Sequence, residues 1–145
     1  MVLLVTLFAC CCGPAAELVP VYVEKTPVEI VGGHALGRPA LSGLRLYGEA
    51  YKCRDDPSAT CYPTVIKQSV VRIGWDEEFI LGERHPREAW IFATPDASHA
   101  TWFIIVVETS AVYEDLSQEE FAQRLRDLGV PSIELRDAMD LYRQK

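Results

Sequence analysis

The middle of the chain, residues 65–107, consists of short apolar runs separated by polar, turn-forming residues. Val71 and Ile73 flank the charged Arg72, whereas residues 102–107 are almost continuously apolar. A period of two is typical of a strand with one buried face, and an unbroken apolar run is typical of a strand covered on both faces. The aromatic and β-branched content favours a pleated sheet. The pattern therefore predicts antiparallel strands here, including one at residues 89–93.

The N-terminal half carries shorter and less regular alternation. Residues 21–23 and 28–30 read as strands, but a proline precedes each of them and cannot donate a ladder hydrogen bond, which favours edge positions. The glycine-rich residues 32–39 are predicted to form a loop, and residues 44–48 form a further short alternating segment.

The C-terminal part changes to helical spacing. Ser117 and Glu120 have the pattern of a capping box, and Gly129 stands where the helix is expected to end. A second helix is predicted over residues 133–142. Both helices are expected to pack on the sheet; the alternative is that their apolar stripe binds a groove on a partner.

These elements predict one α+β domain over residues 19–145. An antiparallel meander of about five to six strands is expected to pack against two C-terminal α-helices. The chain has 145 residues, of which 49% are hydrophobic, so a single globular core is expected and a disordered chain is not. The formal net charge of -7 argues against nucleic-acid binding, which needs a basic surface.

Residues 2–12 form an apolar run that ends in a cysteine triplet, V-L-L-V-T-L-F-A-C-C-C. The run is too short to span a bilayer as a helix, which takes about 20 residues, but its length suits the core of a secretory signal. Its end, L-F-A-C, resembles the lipobox of bacterial lipoprotein signal peptides. The resemblance implies that residues 1–9 are removed, that Cys10 receives the lipid, and that residues 10–18 form a short tether.

Two features of the leader depart from that signal. No basic residue precedes the apolar run, and Phe8 is bulkier than the residue usual at its position. A buried N-terminal strand or helix, and a cytosolic protein palmitoylated at the cysteine triplet, are the alternative interpretations.

Cys53 and Cys61 lie in a polar, turn-rich segment, residues 51–63. In an exported protein two such cysteines are expected to form a disulfide, which would stabilise the fold by roughly 2 to 3 kcal/mol on the entropic model. Two reduced, unrelated thiols are the alternative. A zinc site is not expected, because no histidine or second cysteine pair stands at zinc-ligand spacing.

The segment from Val70 to Ile80 has the form V-x-x-I-x-W-D-x-x-F-I, and W-F-I-I follows at residues 102–105. This pattern resembles a family of small bacterial lipoproteins of unknown function. The resemblance runs from residue 65 to the C-terminus and agrees with the leader. It implies no activity and no site residues, because that family has none established.

Trp75 and Asp76 of this motif have two interpretations. In the structural one, the indole is a core aromatic group and the carboxylate satisfies the backbone of the following turn. In the functional one, an exposed aromatic ring beside a carboxylate contacts a small ligand, a glycan or a partner.

Candidate catalytic residues are few. The histidines, His34, His85 and His99, fall in predicted loops, where exposure to solvent is expected, and no serine lies in a G-x-S-x-G elbow. Glu77 and Glu78 are adjacent, so on a strand they would face opposite ways. No catalytic residue, metal or cofactor is predicted.

Two classes of function follow from the sequence. The first is a binding or interaction module of the bacterial envelope, anchored to the membrane through Cys10, facing the periplasm or the cell exterior, with an envelope protein as a candidate partner. The second is a small envelope hydrolase with a pocket built from loops. Convergent polar groups in a deep pocket would favour the enzyme, whereas a flat apolar patch would favour a partner protein. Binding is preferred over catalysis.

Overall fold

The computed structural model describes residues 26–39, 42–67, 69–86 and 96–144. The expected signal with Cys10, the tether, the predicted strand at residues 21–23, and the predicted strand at residues 89–93 with Trp90 lie outside the described residues.

The first half of the domain forms six short strands. They are β1 (Val28–Glu29), β2 (Ala35–Gly37), β3 (Arg45–Tyr47), β4 (Tyr51–Lys52), β5 (Thr60–Cys61) and β6 (Thr64–Ile66). Strands β1, β2, β3 and β6 pair antiparallel in that order, while β4 and β5 form a separate two-stranded hairpin.

The strand β2 corrects the loop predicted over residues 32–39. Gly32 and Gly33 do form a turn, with φ angles of 59° and 73°. The chain then enters Ala35–Gly37, which is buried throughout and pairs with strands on both sides. Three residues without alternation carry no strand pattern of their own, so this strand depends on its neighbours.

The second half forms a five-stranded antiparallel sheet and two helices. The strands are β7 (Val70–Trp75), β8 (Phe79–Arg84), β9 (Thr101–Val106), β10 (Ala111–Leu116) and β11 (Arg136–Asp137), and the helices are α1 (Gln118–Leu128) and α2 (Ala138–Arg143). The strand order is β10-β9-β8-β7-β11. The predicted α+β fold with an antiparallel meander and two C-terminal helices is confirmed.

Strand β9 is covered on both faces, as its continuous apolar sequence predicts, and the apolar first half of β8 is covered in the same way. On one face, Ile80, Phe103 and Ile105 join a cluster that also contains Leu46 of β3 and Ala138 of α2. On the other face, side chains of β8 and β9 meet α1; these are Phe79, Leu81 and Ile104 on the strands and Phe121, Leu125 and Leu128 on the helix. The five-stranded sheet is therefore packed between the smaller sheet with α2 and the helix α1.

Strand β10 was not predicted. It is the outer strand next to β9, and its side chains are half-buried or exposed along its whole length, so its apolar pattern is weak. Its register shifts between Tyr113 and Leu116, where Asp115 has a φ of 57°. Such a bulge interrupts an otherwise regular outer strand.

The predicted capping box of α1 is confirmed. Ser117 Oγ accepts a hydrogen bond from the Glu120 backbone at 3.2 Å, and Glu120 Oε2 accepts one from the Ser117 backbone at 2.8 Å. The second of these bonds lowers the pKa of Glu120. Gly129 ends the helix with a φ of 68°, a left-handed conformation that glycine adopts without strain.

The second helix is much shorter than predicted, because residues 133–135 have no regular secondary structure and Arg136–Asp137 form β11. Ile133 and Leu135 pack into the cluster beneath α1, and β11 pairs with β7. Helix α2 begins only after Asp137, whose Oδ1 accepts a hydrogen bond from the Asp140 backbone at 2.9 Å. Ile133 and Leu135 are two residues apart, the spacing of one face of an extended segment, and their assignment to the helix predicted over residues 133–142 was wrong.

Gly74 is a point of close backbone approach. A Cβ atom there would overlap the carbonyl oxygen of Glu134 and lie 2.9 Å from Ile133 Cγ2. Trp75, the next residue, is only partly buried and packs against the cluster that joins the two sheets. The indole therefore contacts the core, as in the structural interpretation, but it is not fully buried there.

We expect Gly74→Ala to lower the free energy of unfolding by about 1–3 kcal/mol, because the segment before β11 must move away from β7. The measurement is chemical denaturation. Gly48→Ala is the control, since its Cβ would lie 3.2 and 3.3 Å from side-chain atoms of Val65 and Pro63 and 4.0 Å from the backbone carbonyl oxygen of Pro63. Equal stability of the Gly74 variant and the wild type would contradict the close approach.

We expect Trp75→Ala to destabilise the domain less than Phe103→Ala. Phe103 is 1% exposed, and emptying such a site costs about 3–5 kcal/mol, whereas part of the Trp75 ring already faces solvent. Thermal unfolding of both variants tests this order. A larger loss for the Trp75 variant would return the indole to the core and remove it from the surface.

Candidate functional site

A surface groove of about 320 Å³ lies between β1, an outer strand of the four-stranded sheet, β11, an outer strand of the five-stranded sheet, and α2. We call it the Trp75 groove. Its wall residues come from β1, β2, β7, β11 and α2 and from the positions next to them: Val28, Glu29, Ile30, Leu36, Trp75, Arg136, Leu141 and Gln144. No pattern along the chain predicts this site, because its two sides come from distant parts of the sequence.

The Trp75 indole and the Arg136 guanidinium form the most defined part of this groove. The guanidinium carbon lies 5.0 Å from the centroid of the indole ring, within the range of about 6 Å for a cation–π contact. Pairing of β11 with β7 places Arg136 opposite Ile73, two residues before Trp75. The backbone register therefore positions this contact.

Two opposite charges in the groove have no charged partner. Neither Arg136 nor Glu29 belongs to an ion pair within the part of the chain that the structure describes. Both side chains are exposed, and the apolar walls between them include Leu36, which is 1% exposed. The groove thus offers an apolar floor, one cation and one anion.

Asp76 does not line this groove. Its Oδ1 accepts hydrogen bonds from the backbones of Glu78 and Phe79, both at 2.8 Å, and so closes the turn between β7 and β8. The structure therefore separates the two motif residues: Trp75 faces the groove, and Asp76 has the turn-forming role of the structural interpretation.

A second cavity of about 240 Å³ lies on another side of α2. It is lined by Arg38, Asp137, Met139 and residues 42–44 and 69–71. The Ser69 hydroxyl is buried and has no hydrogen-bond partner among the residues described. The Asp137 carboxylate caps α2, and Arg38 Nε donates to the Ser42 carbonyl at 3.0 Å. The Asp137 and Arg38 side chains are therefore engaged within the fold.

The histidines are placed in three different environments. His34 is 7% exposed, which corrects the expectation of a solvent-exposed loop histidine; its Nδ1 lies 3.2 Å from the Val31 carbonyl oxygen. His85 Nε2 lies 2.7 Å from Glu83 Oε1. His99 contacts Asp96 at the start of a short 3₁₀ turn.

The carboxylate of Asp96 is held ionised by its own turn. Hydrogen bonds from the Ser98 hydroxyl and from His99 lower the pKa of Asp96 to about 2. This cluster is exposed at the surface and belongs to neither cavity.

Cys53 and Cys61 are brought together by the hairpin of β4 and β5. Their Sγ atoms lie 2.08 Å apart, the distance of a disulfide bond. The strand pairing places Tyr51 opposite Cys61, and the Cys53 backbone N–H donates to the Ala59 carbonyl at 3.2 Å. The bond would therefore close a loop that is already turned back on itself.

Metal-binding clusters and membrane-spanning helices are absent from the described ranges. Within residues 26–39, 42–67, 69–86 and 96–144, no group of three His, Cys, Asp or Glu residues is arranged to hold a metal ion. In the same ranges, no helix has the length and apolar character needed to cross a membrane.

Comparison with known families gives one match. The family DUF3997, described as a protein of unknown function, matches residues 50–140. No curated protein and no solved structure matches the chain. The matched residues hold the whole five-stranded sheet, α1, Trp75 and Arg136, and they make up more than half of the sequence. The chain belongs to the DUF3997 family of proteins of unknown function.

Proposed function

We propose that this chain is a lipid-anchored protein of the bacterial envelope whose domain binds a ligand through the Trp75 groove. The observation that carries the binding role is the arrangement of Trp75, Arg136 and Glu29: an aromatic ring, a cation and an anion border an apolar floor, and neither charge is neutralised by a described residue. An apolar cleft with a few oriented polar groups is the usual form of a ligand site.

The leader and the cysteine pair support the envelope location. The L-F-A-C sequence offers Cys10 for lipid attachment, and Cys53 and Cys61 have sulfur atoms at bonding distance. Disulfides persist mainly in oxidising compartments outside the cytoplasm. With a net charge of -7, the protein would not adsorb to anionic lipids by charge, so membrane attachment would depend on the acyl chains, at about 0.8 kcal/mol per buried CH₂.

We favour binding over hydrolysis because each of the three histidines already contacts another group of the fold. His85 contacts Glu83, His99 contacts Asp96, and His34 is buried beside its own turn. None of the three lines the Trp75 groove. A hydrolase needs a nucleophile and a base in reach of the same reacting atom, and the described residues that line this groove include neither a serine nor a histidine.

The anchor is tested by growing the native host with an alkyne fatty acid and comparing the labelling of wild type, Cys10→Ala and Cys12→Ala. We expect Cys10→Ala to lose the label and Cys12→Ala to keep it. Treatment with hydroxylamine at neutral pH separates the alternatives, because it releases a palmitoyl thioester and leaves fatty acids bound as oxygen esters or amides in place. Equal labelling of wild type and Cys10→Ala would remove the anchor.

The disulfide is tested by alkylating thiols in protein taken from the envelope, before and after reduction, and measuring the intact mass. We expect Cys53 and Cys61 to react only after reduction. Reduction is also expected to lower the free energy of unfolding by roughly 2 to 3 kcal/mol, since the unfolded chain regains the entropy of an open loop. Alkylation of both residues without reductant would contradict the bond.

A further inference from the structure

We propose that the ligand of the Trp75 groove is a short zwitterionic peptide with an apolar side chain. The inference rests on the proposed binding role of the groove and adds the chemical class of its ligand. Three properties of the groove lead to it: its size, its pair of charges and the strand edge that borders it.

The volume of the groove and its apolar wall residues favour a small ligand with an apolar group. A volume of about 320 Å³ is at the low end of the 300–1,000 Å³ typical of clefts that hold drug-sized ligands. Val28, Leu36 and Leu141 supply aliphatic walls, and Trp75 supplies part of an aromatic one. Val28 and Leu36 are already buried, so the apolar surface that a ligand removes from water is that of the half-buried Trp75, Ile30 and Leu141.

The charges call for one carboxylate and one ammonium group. The Arg136 guanidinium is oriented by the indole and can present its planar edge to a carboxylate, the partner it binds best. Glu29 offers the complementary site for an ammonium group. A ligand with one charge alone would leave the other groove charge unmatched, so electrostatic complementarity favours a zwitterion.

The strand edge favours a peptide over other zwitterions. The Ile30 backbone N–H donates to the His34 carbonyl at 2.9 Å, toward β2. Backbone groups of successive residues in an antiparallel strand point to opposite edges, so the N–H and C=O of Glu29 lie on the outer edge of β1. No described strand pairs with that edge. Such an edge recognises the main chain of an extended peptide.

The test is isothermal titration calorimetry with the full chain in a mild detergent and the dipeptide Leu-Leu as the probe. The comparison ligands are N-acetyl-Leu-Leu, Leu-Leu-amide, Gly-Gly and free leucine. We expect Leu-Leu to bind and each blocked dipeptide to bind about tenfold more weakly, because one charged hydrogen bond is lost. Gly-Gly lacks the apolar body, and leucine lacks the second peptide unit, so both are expected to be weaker still.

Groove variants identify which charge meets which end of the peptide. We expect Arg136→Gln to weaken Leu-Leu about tenfold and to leave the affinity for Leu-Leu-amide unchanged, because that ligand has no carboxylate to lose. Glu29→Gln is expected to weaken Leu-Leu similarly and to leave N-acetyl-Leu-Leu unchanged. Arg54→Gln and Glu108→Gln remove exposed charges outside the groove and serve as matched controls.

Four outcomes would overturn the proposal. Three of them are an absence of heat with Leu-Leu at millimolar concentration, an affinity for Gly-Gly equal to that for Leu-Leu, and variant losses that are the same for blocked and unblocked dipeptides. Leucine binding as tightly as Leu-Leu would replace the peptide by a free amino acid. The fatty-acid labelling of Cys10 is independent of these titrations, so failure of the ligand and failure of the anchor are distinguishable.

Discussion

The close contact between Gly74 and the carbonyl of Glu134 is the constraint on which the C-terminal half depends. Because Gly74 has no side chain, the backbone before β11 lies directly against β7, and Arg136 pairs with Ile73. Next to this contact, β11 is the outer strand of the sheet, α2 follows its N-cap Asp137, and the Arg136 guanidinium lies over the Trp75 ring. Core packing and groove geometry therefore share one backbone requirement.

The sequence predicted those elements whose pattern is local. Strands β7, β8 and β9 contain apolar runs that are long enough to be recognised as strands. Helix α1 has both its capping box and its terminal glycine in the sequence. Strands β2, β4, β5, β10 and β11 were not predicted, because a run of two or three residues, or a mostly polar run, contains no hydrophobic period. Of these, β11 pairs with a strand far away in the sequence, β7. Ile133 and Leu135, just before β11, were assigned to a helix, although they pack beside α1.

The candidate site was predicted only in part, for the same reason. Trp75 was singled out by its motif, and the turn-forming role of Asp76 follows from residues within three positions of it. The sequence did not mark Arg136 or Glu29 as site residues, because a single charged residue outside any motif does not show which residues lie beside it in the fold. Only the pairing of β11 with β7, and the packing of the two sheets on one cluster, place them around the same indole.

The extent of the family match divides the groove into two parts. Trp75 and Arg136 lie within the matched residues 50–140, whereas Glu29 and Leu36 lie before them. If a zwitterionic peptide occupies the groove, its carboxylate is bound by the part that the family covers, and its ammonium by the N-terminal strands.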